Sequence, residues 1–288
     1  MLTRLAIGVL WLLHFLPLGL LAPLGAGLGR LAYHLVRGRR RVCLINLARC
    51  FPELDERARG ALARRHFASL GRSVAERGIL FWSPGERIAR LVRLVGREHY
   101  DAAKKPVVLL APHFIGLDAG AMRLSMEGKA VSIYSRQKNA YINRLLEHLR
   151  TRFGPITLLS RQDGIRGAIR EMLRGLPFYY LPDQDYGRRD SVFVPFFGVP
   201  AATITGLSRV ARLADASVVP TVTRMLPGGA GYEVRIYPAW EDFPTEDPAA
   251  DARRMNAFIE DRVREMPEQY NWVHKRFKPR PPGDAKFY

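Results

Sequence analysis

From residue 105 onward, short apolar runs alternate with longer amphipathic ones, and this alternation constrains the fold more than any other feature. "PVVLLAP", "AVSIYS", "ITLLS" and "FYYLPD" read as strands, being short and rich in β-branched or aromatic residues. Residues 116–127, 140–153 and 163–175 lie between them and read as helices, the last stopped by Gly175. "SVFVPFFG" reads as an extended piece and "TITGLSRVARLA" as a helix. "SVVPTVTRM" and "YEVRIYPAW" read as strands flanking the turn "LPGGAG", followed by a charged amphipathic helix over 248–266. Strands apolar on both faces need cover on both sides. The expected fold class is therefore α/β, with a mixed, mostly parallel sheet covered by helices.

The first part of the chain has another character. Residues 5–29, "LAIGVLWLLHFLPLGLLAPLGAGLG", contain no Asp, Glu, Lys or Arg. As one helix they would run about 38 Å, enough for a bilayer core of roughly 30 Å. An N-terminal hydrophobic membrane helix is thus expected. Pro17, Pro23 and five glycines favour a kinked or re-entrant alternative lying in one leaflet. Arg30, Arg37, Arg39, Arg40 and Arg41 follow, and by the positive-inside tendency they keep the remainder in the cytoplasm. The expected division is 1–36 as membrane anchor, 37–100 as basic amphipathic helical region, 101–278 as α/β core and 279–288 as Pro-rich tail.

Charge narrows the partners. Lys and Arg number 45 against 27 acids, a formal charge of +18, so the partner is anionic. Residues 57–97 alone hold ten arginines and two acids, Glu76 and Glu86, interleaved with apolar residues as in "HFASLGRSVAERGILFW". Such helices suit an anionic membrane lipid surface. No zinc-finger spacing or RNP-type motif is present, so no nucleic-acid partner is expected. Cys43 and Cys50 match no zinc or redox spacing and read as reduced thiols.

His113 and Asp118 lie in "APHFIGLDAG", where a strand hands over to a helix. Five residues along a continuous helix would separate them by about 140°. With His113 in the turn and Asp118 in the first helical turn, the acid can reach back. An aspartate on Nδ1–H fixes the tautomer and raises the basicity of Nε2, which then takes a proton from an attacking hydroxyl. There is no adjacent serine or cysteine nucleophile and no G-x-S-x-G elbow. Spacing alone leaves both a catalytic pair and a structural histidine open.

"HFIGLD" is followed in order by "YSRQKN", "GIRGAIREMLRGLP", "LPDQDYGRRDSVFVPFFGVPAATITG" and "PEQYNWVHKRFKPRPPG", with "NLARCFPEL" upstream. This ordered set resembles the late acyltransferases of lipid A biosynthesis, the lauroyl and myristoyl transferases of the lysophospholipid acyltransferase superfamily. The resemblance implies a glycerolipid acyltransferase-like core in which His113 matches the general base and Asp118 the orienting acid, where many members carry glutamate. Arg136 matches a phosphate-binding or oxyanion-stabilising arginine. Arg166 is a further candidate of that kind, with a solvent-facing arginine equally open. Asp183 and Asp185 match an acidic motif that would orient Arg136 or a sugar hydroxyl, and an Asx turn competes with that role. A D-x-D pair also suits a metal, but none is expected here.

The resemblance further implies a reaction. Acyl carrier protein brings the acyl chain as a phosphopantetheine thioester, a co-substrate rather than a bound cofactor, and a lipid A precursor offers a 3-hydroxyacyl hydroxyl. Arg136 or backbone N–H groups near Gly116 would hold the oxyanion, and "VFVPFFGV" would wall the acyl channel. The expected location is the cytoplasmic face of a bacterial inner membrane. Three rival readings remain: an acyltransferase for a lysophospholipid, ornithine lipid or glycolipid; a thioesterase using the pair on water; and a non-enzymatic basic membrane-surface or nucleic-acid-binding protein.

Overall fold

The structure is a computed structural model and describes residues 2–160, 164–185, 187 and 190–288. The strands are β1 (Val92–Val95), β2 (Val107–Leu110), β3 (Ala130–Tyr134), β4 (Ile156–Ser160), β5 (Phe178–Tyr180), β6 (Ser191–Phe196), β7 (Val199–Ile204), β8 (Ser217–Met225) and β9 (Tyr232–Ile236). Seven of them form one sheet in the order β1-β9-β8-β2-β5-β3-β4. All its pairs are parallel except β8 with β9. β2 is buried along its whole length, as a central strand covered on both faces must be.

The helices are α1 (Leu2–Leu13), α2 (Leu18–Leu35), α3 (Arg37–Cys50), α4 (Glu56–Trp82), α5 (Gly85–Leu91), α6 (Arg97–Ala102), α7 (Leu117–Ser125), α8 (Ala140–Thr151), α9 (Arg166–Leu173), α10 (Gly206–Ala214) and α11 (Pro248–Glu265). The helix expected over 163–175 begins at Arg166, and residue 163 lies outside the described residues.

Two strands depart from expectation. β1 comes from the region read as wholly helical and pairs with β9 at the sheet edge. The start of "TITGLSRVARLA" is the end of β7, which pairs antiparallel with β6. Phe197 (φ 51°) and Gly198 (φ 75°) form the two-residue turn between them. Positive φ at both central residues matches the right-handed strand twist. The helix therefore starts only at Gly206.

The N-terminal membrane helix expected over 5–29 is not what forms. The chain breaks between Leu13 and Leu18, and α2 restarts after Pro17, which lacks an N–H and suits a helix start. No described helix is long and apolar enough to cross a membrane. The glycines of the run instead form a close helix–helix seam. A Cβ at Gly29 would lie 2.0 Å from the Phe67 carbonyl oxygen, and one at Gly71 would lie 2.2 Å from that of Gly25. Only hydrogen in place of a side chain lets α2 and α4 approach this closely.

The tail is also structured. Arg280 donates to the Pro200 carbonyl at 2.6 Å, and the Phe287 ring lies 4.2 Å beneath the guanidinium of Arg49. Cys43 and Cys50 are buried and unbonded, and burial pushes the Cys43 thiol up to about 12, so it is inert.

Candidate active site

The sheet register builds the centre of the site. β2 and β5 run parallel with Leu110 opposite Tyr180. Three residues beyond each strand stand His113 and Asp183, so equal travel from paired ends brings them together. This is the carboxyl-end crevice where open α/β sheets gather functional groups. The His113 backbone N–H donates to Asp183 Oδ2 at 2.9 Å, and Nδ1 lies 2.6 Å from Oδ1. The Tyr270 hydroxyl donates to Oδ2 at 3.3 Å. Asp183 is 1 % exposed. Burial alone would raise its pKa, but the charge interaction with the His113 imidazole and the hydrogen bonds from His113 outweigh that and hold the carboxyl below its ordinary value.

The partner expected for His113 was Asp118, and the structure gives it another. Asp118 sits in the first turn of α7, where its Oδ2 accepts from Arg77 Nε of α4 at 3.0 Å and pairs with Nη2 of the same guanidinium at 2.9 Å. Both side chains are about two-fifths exposed (41 % and 42 %). The guanidinium takes the carboxylate, and Nδ1 is left to Asp183.

The segment 267–277 supports the arrangement from below. Ile115 N–H donates to the Gln269 carbonyl at 2.8 Å, and Phe114 bridges Tyr270. Gln269 in turn clamps β8 through both its amide atoms, at 2.7 and 2.9 Å from Met225. Asn46 of α3 donates to the carbonyls of Trp272 and His274 at 2.7 and 2.8 Å. His274 Nε2 accepts from the Asp185 N–H at 3.0 Å, so its proton sits on Nδ1 when neutral. Burial lowers its pKa to about 4. Asp185 itself accepts from Gly187 N–H at 2.7 Å, an Asx turn shaping the loop.

His113 and Asp118 line one cavity of about 1090 Å³. That is at the top of the range that encloses drug-sized ligands, roughly 300–1,000 Å³. Its lining includes polar side chains, such as Arg77, Asp185 and Arg209, and apolar ones, such as Leu80, Met122, Leu149, Ile156 and Leu158. Asp183 lies behind His113. Arg136 is exposed and does not line the cavity, although Ser135 and Gln137 beside it do. Arg166 is exposed at the start of α9 and is not a wall residue either. The N–H groups flanking Gly116 are already bonded, Ile115 to Gln269 and Leu117 to Phe114 at 3.0 Å. "VFVPFFGV" does not wall the cavity. Phe196 is in the core, 5.7 Å from the Tyr270 ring, and α11 packs against β6.

Sequence reading missed Arg77 and the support given by Tyr270 and His274. The spacing of "PEQYNWVH" carries no sign of its distance from Asp183 in space. An acid beside a histidine at a strand end was visible, but its partner is set by a strand pairing about seventy residues away.

This arrangement can take a proton at Nε2 with a buried carboxylate behind Nδ1, next to a cavity lined by apolar as well as polar side chains. The profile of the bacterial lipid A biosynthesis acyltransferase family matches residues 1–279. The Escherichia coli (strain K12) lipid A biosynthesis lauroyltransferase is 38% identical over 291 residues, covering 100% of this chain and 94% of that one. The palmitoleoyltransferase of the same organism is 31% identical over 293 residues, covering 100% and 94%. Its myristoyltransferase is 34% identical over 270 residues, covering 92% and 83%. Among solved structures, the 1-acyl-sn-glycerophosphate (LPA) acyltransferase PlsC from Thermotoga maritima aligns with TM-score 0.40 and 14% identity, covering 80% of this chain and 97% of that one. With full-length matches of this identity, the chain belongs to the bacterial lipid A biosynthesis acyltransferase family and is an acyltransferase.

Proposed function

We propose that the protein transfers a fatty acyl chain from acyl carrier protein to a 3-hydroxyacyl hydroxyl of a lipid A precursor, with His113 as general base. The observation that carries this is the two-point hold of Asp183 on His113 beside the cavity, at 2.9 and 2.6 Å. With Nδ1–H donating to Asp183, Nε2 is the free base. It takes the hydroxyl proton while that oxygen attacks the thioester carbonyl. The tetrahedral intermediate then collapses, the C–S bond breaks, and the proton on Nε2 passes to the departing thiolate. Asp183 stabilises the imidazolium formed in between. Arg77 and Arg209 stand at the cavity wall together with Arg97, Lys129 and Arg150, and positive charge there would favour the oxyanion or an acceptor phosphate.

The same reading places the enzyme on the cytoplasmic face of the inner membrane, held by α1 and α2 in the plane of the leaflet. Leu20, Leu24, Leu28, Leu31 and Leu35 are all exposed and recur at three- and four-residue spacing along α2, which is one face. Leu5, Val9, Leu12 and Phe15 extend the apolar surface. Exposed Arg37, Arg39 and Arg41 follow directly and suit anionic headgroups.

The test is mass spectrometry of lipid A from cells lacking the protein, complemented with wild type or His113→Ala. The expected result is loss of one secondary acyl chain, restored by wild type alone. Unchanged lipid A in the deletion strain would overturn the acceptor, and restoration by His113→Ala would overturn the base.

A further inference from the structure

Every exposed residue of α10 is Arg209, Arg212 or Leu213. On α9 the exposed residues are Arg166, Arg170 and Leu173, and Arg174 follows at its cap. The three arginines of α9 recur every four residues and so share one face, with buried Ala168 and Met172 on the other. The two helices pack against each other. Their outer surface is thus five arginines around two leucines, 66 % and 59 % exposed. Acids offset this only in part. Glu171 pairs with Arg174 at 2.8 Å, while Asp190 and Glu246 stand at 3.8 and 3.7 Å from Arg209 and Arg212. Arg166 and Arg170 form no ion pair among the described residues.

The patch is continuous with the cavity. Ile165, which precedes Arg166, and Gly206 and Arg209 of α10 all line it. We propose that the exposed faces of α9 and α10 are the docking surface for the acidic carrier protein, which passes its thioester arm into the cavity beside Arg209. This rests on the donor proposed above. A protein occupant fits better than lipid because the apolar part is two leucines inside a ring of fixed charge, whereas the broad apolar face lies on α1 and α2. The arginines would speed encounter and orient the partner, and the leucines would seat it. Arg166, absent from the cavity wall, acquires a role here that does not require it to touch the reacting atoms.

The test uses the full chain carrying Arg170→Glu with Arg174→Glu, and separately Arg212→Glu. Binding of holo-acyl carrier protein is followed by fluorescence anisotropy at low salt. KM is measured with two donors, the acyl-carrier thioester and the same acyl group on free pantetheine. Binding to phosphatidylglycerol vesicles is measured alongside. The expected result is carrier binding weakened by roughly tenfold or more, with a matching rise in KM for the carrier-bound donor. KM for acyl-pantetheine, kcat and vesicle binding stay at wild-type values. Equal carrier binding by variants and wild type, or none by wild type, overturns the proposal. Loss of vesicle binding with carrier binding intact also overturns it and assigns the patch to lipid. If wild type binds the carrier through these arginines yet acylates no lipid A precursor, the docking surface stands and the proposed reaction falls.

Discussion

Replacing Asp183 by Asn should damage catalysis far more than replacing Asp118 by Asn. Asp183 accepts from the His113 N–H at 2.9 Å, from His113 Nδ1 at 2.6 Å and from Tyr270 at 3.3 Å, and it is buried. An asparagine has one acceptor oxygen. If that oxygen faces Nδ1, its NH2 group meets the His113 N–H, donor against donor, and the Tyr270 hydroxyl loses its acceptor. If it faces the backbone, the NH2 donates to Nδ1 and drives the imidazole proton onto Nε2, the wrong tautomer for a base. Either way the rate falls. We expect kcat to drop by about 10²–10⁴, the usual scale for disabling a general base, with a stability loss of roughly 1–3 kcal/mol and little change in KM. Asp118→Asn removes a half-exposed pair with Arg77, worth at most about 1 kcal/mol, so kcat should stay within about fivefold. The assay is steady-state transfer to a lipid A precursor, with thermal melts on each variant. If Asp118→Asn loses as much as His113→Ala while Asp183→Asn stays near wild type in rate and stability, the acid on Nδ1 during turnover is Asp118.

Three further outcomes test the structure elsewhere. Gly71→Ala puts a Cβ 2.2 Å from the Gly25 carbonyl oxygen and should cost at least about 1 kcal/mol through overpacking. Gly60→Ala meets only an Arg64 side-chain atom at 3.6 Å and should stabilise by up to about 1 kcal/mol. A melting temperature that moves the same way in both would contradict the seam. His66 and His274 are held down to about 4 by burial from an ordinary 6.5. As pH falls through that window the unfolded chain binds protons that the folded one refuses, so stability is full above 6.5 and drops towards 4. The loss should be roughly 1–3 kcal/mol per histidine, read from melts across pH, and His66→Gln should flatten the curve. Leu24→Ser with Leu28→Ser should weaken binding to anionic vesicles by more than about tenfold, since each buried leucine contributes roughly 1.5–3 kcal/mol. Unchanged binding would remove α2 from the membrane contact.

The alternation of strands and helices was legible because strands covered on both faces read as short apolar runs, and β2 and β5, buried along their whole length, are such runs, while β3 and β4 are mainly apolar. β1 was not legible. "VRLV" is a four-residue edge strand with one arginine among three apolar residues, and in isolation it continues the arginine-rich pattern before it. β7 hid behind Pro200 and a helix-forming sequence just beyond it, and only the "FFGV" turn gives it away. The uncharged N-terminal run misled for another reason. Absence of charge is what a spanning helix and a glycine seam have in common, and the spacing of Gly25, Gly29 and Gly71 becomes meaningful only once α2 and α4 are known to cross.

The site shows where linear reading ends. His113 was found because it stands just past the carboxyl end of an apolar strand, where α/β sheets gather functional groups. Its nearest acid along the chain was the natural partner to choose, since sequence offers only local distances. In the fold, proximity is decided by which strands are neighbours. β5 follows β2 by some seventy residues yet lies directly beside it, so Asp183 is closer to His113 than an acid five positions away. The nearer acid is occupied by an arginine from α4, a helix that the sequence places among surface arginines. Both carboxylates belong to the resemblance that the chain displays, and geometry redistributes their work. The buried one holds the imidazole, and the exposed one holds the cation that shares the cavity wall with it.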